Sequence, residues 1–253
     1  MGDKNKTNIP RNSTMSLGDH LEELRIRLIL ALVGLVAGTV ICLFLGSKII
    51  AFIEIPYINT MGQGARLQTL APADGFVSYI KISLIAGLIL SSPWVFYQIW
   101  MFVSAGLYPQ EKRYVRMAIP FSAVLFIAGA LFFIFLVAPI TLGFLVKFNK
   151  NVLGVSSNFT FQNYLSFVSS LMLVFGVAFQ TPIAIFFLNK ASLVSLSTLK
   201  NSRKYVLLSI FIIAAMVTPP DVISQVTLAI PLYLLFELGI LICKLSNTKK
   251  EQR

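Results

Sequence analysis

The stretch S-L-G-D-H-L-E-E-L-R-I-R-L-I-L-A-L-V-G-L-V-A-G-T-V-I-C-L-F-L-G, residues 16–46, decides the fold. Ser16 followed three residues later by Asp19 is a capping-box pattern, which predicts a helix beginning there. From Leu28 to Gly46 there are 19 residues without a charge. A bilayer core is crossed by ~20 apolar residues in helical form, so this helix runs on into a membrane. At about 100° per residue, Leu17, Leu21, Leu24 and Leu28 share one stripe, and Glu23 and Arg27 project from the opposite side. Glu23 is therefore expected to face away from whatever the leucines cover. Two readings of it stay open: an ordinary i,i+4 pair with Arg27, or an acidic site at the membrane border.

Composition extends that reading to the whole chain. Hydrophobic residues make up 57% of the 253 and charged residues 12%, with a mean hydropathy of +0.81. These values exclude a soluble globular domain. The apolar runs are continuous rather than alternating, which selects helices over a membrane barrel. The net charge of +11 is a matter of membrane orientation, and no nucleic-acid partner is expected. Cys42 and Cys243 lie in separate apolar runs, and the single His20 leaves no ligand set for zinc or haem, so no disulfide, metal or cofactor is expected. The first 27 residues are polar and the run after them exceeds a signal-peptide core, so no cleaved segment is expected.

Residues 1–15 read as a flexible tail, 16–244 as a six-helix membrane domain and 245–253 as a second tail. The expected spans are 28–46, 76–103, 117–137, 164–189, 205–217 and 222–243, the fifth and sixth short. The second should be long and bent at Pro93, and the third should stop before Pro139, leaving Lys147 and Lys150 in a loop. Residues 47–73 read as an external loop with a short helix at the interface. An even number of spans places both termini on one side. Sixteen Lys and Arg residues lie in the segments on that side, against Lys48, Arg66, Lys147 and Lys150 on the other. The positive-inside rule then makes both termini cytoplasmic.

No G-x-S-x-G, no H-E-x-x-H and no intramembrane histidine is present, so no catalysis is expected. Polar side chains in costly places remain: Glu23 and Glu111 at the cytoplasmic border, Gln180 and Glu237 within spans, Lys81, Asp221 and Gln225 on the external side. Glu111, in Q-E-K-R, could be a surface salt bridge to Lys112 or Arg113. Gln180 could simply bond to a neighbouring helix. Glu237 is expected to pair with a hydroxyl or other polar group, either charged or as the neutral acid.

The chain carries H-L-E-E-L-R at 20–25, D-G-F at 74–76, S-P at 92–93 and Q-I-W-M-F at 98–102. After these come G-L-Y-P-Q-E-K-R at 106–113, F-G-V-A-F-Q-T-P at 175–182, T-P-P-D at 218–221 and A-I-P-L-Y-L-L-F-E at 229–237. Eight motifs in this order resemble the TatC family, the multi-span receptor subunit of the twin-arginine protein translocase. The resemblance implies that Glu23, Arg25 and Glu111, with Phe102 nearby, bind twin-arginine signal peptides of folded cargo. It further implies recruitment of single-span TatA/TatB-type subunits, self-association in a receptor complex, and export driven by the proton motive force across a bacterial inner membrane. External roles are implied for Pro56, Phe76 and Asp221. Many family members carry Glu where this chain has Gln180, so only a role served by a hydrogen-bonding group is expected there. The alternative is a small-solute or ion-coupled transporter using Glu237, Gln180 and Lys81, which the lack of an internal repeat disfavours.

Overall fold

The computed structural model describes residues 17–62, 64–106, 112–155, 157–191, 193–217 and 222–251. Glu111, Asp221 and the N-terminal tail lie outside them. The described residues are helical, with a single isolated β-bridge between Gln68 and Thr160.

The first helix, α1 (Leu17–Phe44), and the helix α4 (Asp74–Ala105) form an antiparallel pair. The register runs from Arg27 against Gln98, through Leu30 and Gly34 against Trp94 and Gly38 against Gly87, to Leu43 against Tyr79. Lipid tails are as apolar as leucine, so apolar side chains gain little by facing a neighbouring helix, and close backbone approach does the work instead. A Cβ placed on Gly38 would fall 2.7 Å from the Gly87 carbonyl oxygen, and one on Gly87 would fall 2.6 Å from the Thr39 Cα. The two backbones touch there. Trp94 adds a bond from its indole Nε1 to the Leu30 carbonyl at 2.9 Å. The leucine stripe of α1 is turned outward, with Leu21 65% and Leu28 57% exposed. The side carrying Glu23 and Arg27 is the one that meets α4, which reverses the usual sense of an amphipathic helix.

Two short helices follow α1: α2 (Gly46–Ile53) and α3 (Ile55–Met61). Pro56, buried in the first turn of α3, has no N–H to leave unsatisfied there. The Tyr164 hydroxyl donates to the Ile53 carbonyl at 2.8 Å, and the Phe161 N–H donates to the Gln68 carbonyl at 2.8 Å. These bonds join α2, α3 and residues 62–73 to the start of α7 (Phe161–Ala178) in a cap over one end of the bundle. Between α2 and α3, burial raises the pKa of the Glu54 carboxyl, and burial followed by the Glu54 charge raises that of the Tyr57 hydroxyl.

Prolines within the spans are accommodated one by one. α4 continues through Pro93, where the missing N–H leaves the Ile89 carbonyl without its helical donor. The Ser92 hydroxyl donates to that carbonyl at 2.7 Å. At Pro139 the expectation of a helix end fails. Helix α5 (Lys112–Phe132) passes through a π-helical turn, Phe133–Val137, into α6 (Ala138–Asn151). The wider turn ends one residue before Ala138–Pro139 opens the next helix and places Phe133, Ile134 and Val137 in the core. The result is one 40-residue helix, Lys112–Asn151. Its length of ~60 Å exceeds a hydrocarbon core of ~30 Å. Lys147 and Lys150 therefore lie on a projecting helix, not in a loop.

The fourth apolar run is broken instead. It forms α7 and then α8 (Thr181–Lys190), with Gln180 capping α8 and Pro182 in its first turn. After α9 (Leu196–Asn201) come α10 (Arg203–Val217) and α11 (Val222–Glu251). Among the described residues five helices are long and apolar enough to cross a membrane, the last over Gln225–Ser246. α10, with 15 residues, rises only ~22 Å. Of the two final helices expected to be short, α10 is short and α11 is full length.

The Gly38–Gly87 contact yields a test. Gly87→Leu has no room beside Thr39 and should cost roughly 1–3 kcal/mol, read as a lowered thermal midpoint in detergent, whereas Gly143→Leu, with open space around its Cβ position, should leave the midpoint unchanged.

Candidate functional site

At the end of the bundle opposite the cap, α1 and α4 bring together Glu23, Arg27, Gln98, His20 and Phe102. Glu23 and Arg27 are one helical turn apart, and the Arg27 Nε donates to Glu23 Oε1 at 2.7 Å. The Arg27 Nη1 donates to Gln98 Oε1 at 3.1 Å. Gln98 is 2% exposed, so its amide anchors the guanidinium in the interior of the α1–α4 pair. Glu23 thus stands on the packed side of α1 while keeping part of its carboxylate in contact with solvent. Its Oε2 has no partner among the described residues.

One turn toward the helix start, the His20 ring stacks on Phe102, with centroids 4.5 Å apart and planes 25° apart. Arg25 is exposed on the outer side of α1. In the sequence Glu111 immediately precedes Lys112, the first residue of α5. The chemistry available is a half-committed carboxylate beside a flat aromatic platform, suited to a planar cation. Gln98 and His20 were missed by sequence reasoning. Gln98 heads the Q-I-W-M-F motif, and an amide next to an apolar run was the signal for it.

The other polar candidates are separate from this cluster and from each other. The Gln180 Nε2 donates to the backbone carbonyl of Ser122 on α5 at 2.9 Å, and the Ser122 hydroxyl accepts from the Trp100 Nε1 at 2.8 Å. Gln180 lies 19 residues from Phe161 and ten from Lys190, nearer the Glu23 end than the cap end. Glu237 accepts from Arg203 Nη2 at 2.8 Å and pairs with its Nε at 2.8 Å, while the Tyr233 hydroxyl donates to it at 3.1 Å. The expected hydroxyl partner is present, and Arg203 adds a bidentate contact. Gln225 ties α11 to α10 through a bond from its Nε2 to the Phe211 carbonyl at 2.8 Å. Lys81 and the largely exposed Phe76 sit on the first turns of α4, at the cap end. Gln180, Glu237 and Lys81 do not converge, so the geometry provides no common substrate site for a transporter. Among the described residues no cluster of His, Cys, Asp and Glu could hold a metal ion.

Comparison with known proteins gives a consistent picture. Residues 19–231 match the family model described as Sec-independent protein translocase protein (TatC). The protein of that name from Aquifex aeolicus is 37% identical over 238 residues, covering 94% of this chain and 98% of that one. The one from Escherichia coli K12 is 37% identical over 227 residues, covering 90% and 87%. A crystal structure described as the twin arginine translocase receptor TatC superposes with a TM-score of 0.81 at 36% identity, over 90% of this chain and 99% of that one.

The Arg27–Gln98 bond makes its own prediction. Gln98→Leu removes a buried acceptor from a charged donor, which should destabilise the protein by roughly 1–3 kcal/mol. Arg27→Gln should restore part of that loss in the double variant, and additive losses in the thermal midpoint would show the two side chains uncoupled.

Proposed function

The chain belongs to the TatC family of Sec-independent protein translocase proteins, and from that premise we propose that the Glu23 end of the α1–α4 pair receives the paired arginines of signal peptides. The protein is a translocase component of a multi-pass membrane protein family, not an enzyme. The observation that carries the reading is Glu23 itself. It is held by Arg27, itself bonded to Gln98, has one oxygen without a partner among the described residues, and lies one turn from His20 of the His20–Phe102 stack.

Two consecutive guanidinium groups require two acceptors. Glu23 serves one and Glu111, in the loop leading into α5, serves the second, with Arg25 and Phe102 at the rim. Export of folded cargo then draws on single-span TatA/TatB-type subunits and the proton motive force, with the receptor self-associating. The apolar groove at Thr181, beside Val206 and Phe236, next to the Gln180 turn, is where a partner's span is proposed to lie. The Gln180 side-chain Oε1 is the group offered to it. The charge census places the Glu23 end and both termini in the cytoplasm of a bacterial cell, within its inner membrane.

Charge-assisted bonds contribute roughly 1.5–3 kcal/mol each, and Lys lacks the bidentate fork of Arg. Glu23→Ala or Glu111→Ala should therefore lower affinity for an Arg-Arg peptide by about tenfold or more. Replacing Arg-Arg by Lys-Lys should cost the wild type more than it costs the double Ala variant; equal discrimination by both would assign the reading of the motif to other groups. For orientation, Cys introduced at Ser246 should react with a membrane-impermeant thiol reagent only in inverted vesicles, and Cys at Ser157 only in intact spheroplasts. The opposite pattern would invert the arrangement.

A further inference from the structure

The cap end holds a feature that signal-peptide binding does not use. A groove of about 370 Å³ opens between α1, α2, α4, α5 and α7, lined by Cys42, Ile49, Phe52, Ile85, Ala86 and Met172 among others. Its lining is hydrocarbon except for the Cys42 thiol and the hydroxyl of Ser169, which already donates to the Ser166 carbonyl. A single acyl chain is narrow enough to enter this space.

Two lysines mark one end of the groove. Lys48 on α2 is flanked along its helix face by Leu45, Ile49 and Phe52, all of which line the groove. Lys81 on α4 is adjacent to Ile82 and one turn from Ile85, which line it too. The two segments are locked together. The Tyr79 hydroxyl donates to the Leu43 carbonyl, and the Tyr79 ring covers Gly46 so closely that a Cβ there would collide with it. Lys48 lies two residues beyond Gly46, and Lys81 two beyond Tyr79. Both lysines are exposed, and neither has an ion-pair partner among the described residues. The Glu54 charge at the end of α2 acts on Tyr57.

Lys81 stands about two turns inside α4, where an unpaired ammonium is costly unless it reaches an anion at the interface. Unpaired cations one helical turn from residues that line an acyl-sized groove match an anionic phospholipid. We infer that this groove binds one, its phosphate held by Lys48 and Lys81 and an acyl chain lying against Ile85, Ala86 and Met172. Such a lipid would fill the seam between α2 and α4 and fix the cap on the bundle.

The test uses the full chain purified in mild detergent with equal amounts of phosphatidylglycerol and phosphatidylcholine, with retained lipid counted by native mass spectrometry. Wild type should retain phosphatidylglycerol preferentially, and the Lys48→Gln, Lys81→Gln double variant should lose that preference by about tenfold. Ala86→Phe, which fills the groove and leaves both lysines in place, should lower retention of both lipids. Gel filtration and circular dichroism identify any variant that has not folded, and Ala86→Leu replaces Ala86→Phe in that event. No headgroup preference in wild type, an unchanged preference in the double variant, or full retention with the groove filled would each overturn the assignment. Displacement by inorganic phosphate would assign the lysines to a free anion, and displacement by a synthetic single-span peptide would assign the groove to a protein helix; either result overturns it.

Discussion

Hydrocarbon offers no hydrogen bonds, and every polar group carried into it must be answered by the chain itself. Much of this structure is a set of such answers. Ser92 supplies the donor that Pro93 withholds from Ile89. The π-helical turn at Phe133–Val137 leads into the proline at 139 without ending the helix. Gln180 and Gln225 spend their amide hydrogens on backbone carbonyls of neighbouring helices, Ser122 and Phe211. The same rule explains the form of the Glu23 cluster. A buried glutamine, an arginine and a carboxylate arranged in series carry a charge from the helix interface out to water, with each member satisfied by the next.

The constraint also governs how helices find one another. Without a hydrophobic gain on association, contact depends on shape, and the Gly38–Gly87 approach sets the spacing of α1 and α4. Once those backbones touch, the register follows along both helices. Trp94 reaches Leu30, Arg27 reaches Gln98, and His20 comes to lie on Phe102. A glycine contact in mid-membrane therefore positions a polar cluster several turns away. Its position is a property of the helix pair and not of the loop that follows.

The apolar runs and the places of their polar interruptions were legible in the sequence because each span needs its own length of uncharged chain. The inward face of α1 was not. Leucine is the natural outward residue in lipid and the natural inward one in water, so the stripe from Leu17 to Leu28 said nothing about direction. The informative signal was Gly34-x-x-x-Gly38, a spacing that permits close approach. The ends of the third helix were misjudged at Pro139 because the proline rule assumes a regular α-helix before it. Partners such as Ser122 for Gln180, or Gln98 for Arg27, lie 58 and 71 residues away and have no local signature. Glu237 was recognisable as needing a partner, but its partner Arg203 had been counted with the basic loop.

The distribution of strong and weak polar pairs bears on how such a receptor can act. Glu237 has both oxygens engaged by Arg203 and a third bond from Tyr233, which makes it a clamp between α10 and α11. Glu23 is engaged on one oxygen by a guanidinium that is itself shared with Gln98. An incoming guanidinium can therefore bind Glu23 without first breaking the helix pair, because Arg27 keeps Gln98 if it yields the carboxylate. On the proposed reading, the Glu23 oxygen that has no partner among the described residues suits the α1–α4 end to receive a guanidinium, whereas the Arg203–Glu237 pair holds α10 to α11.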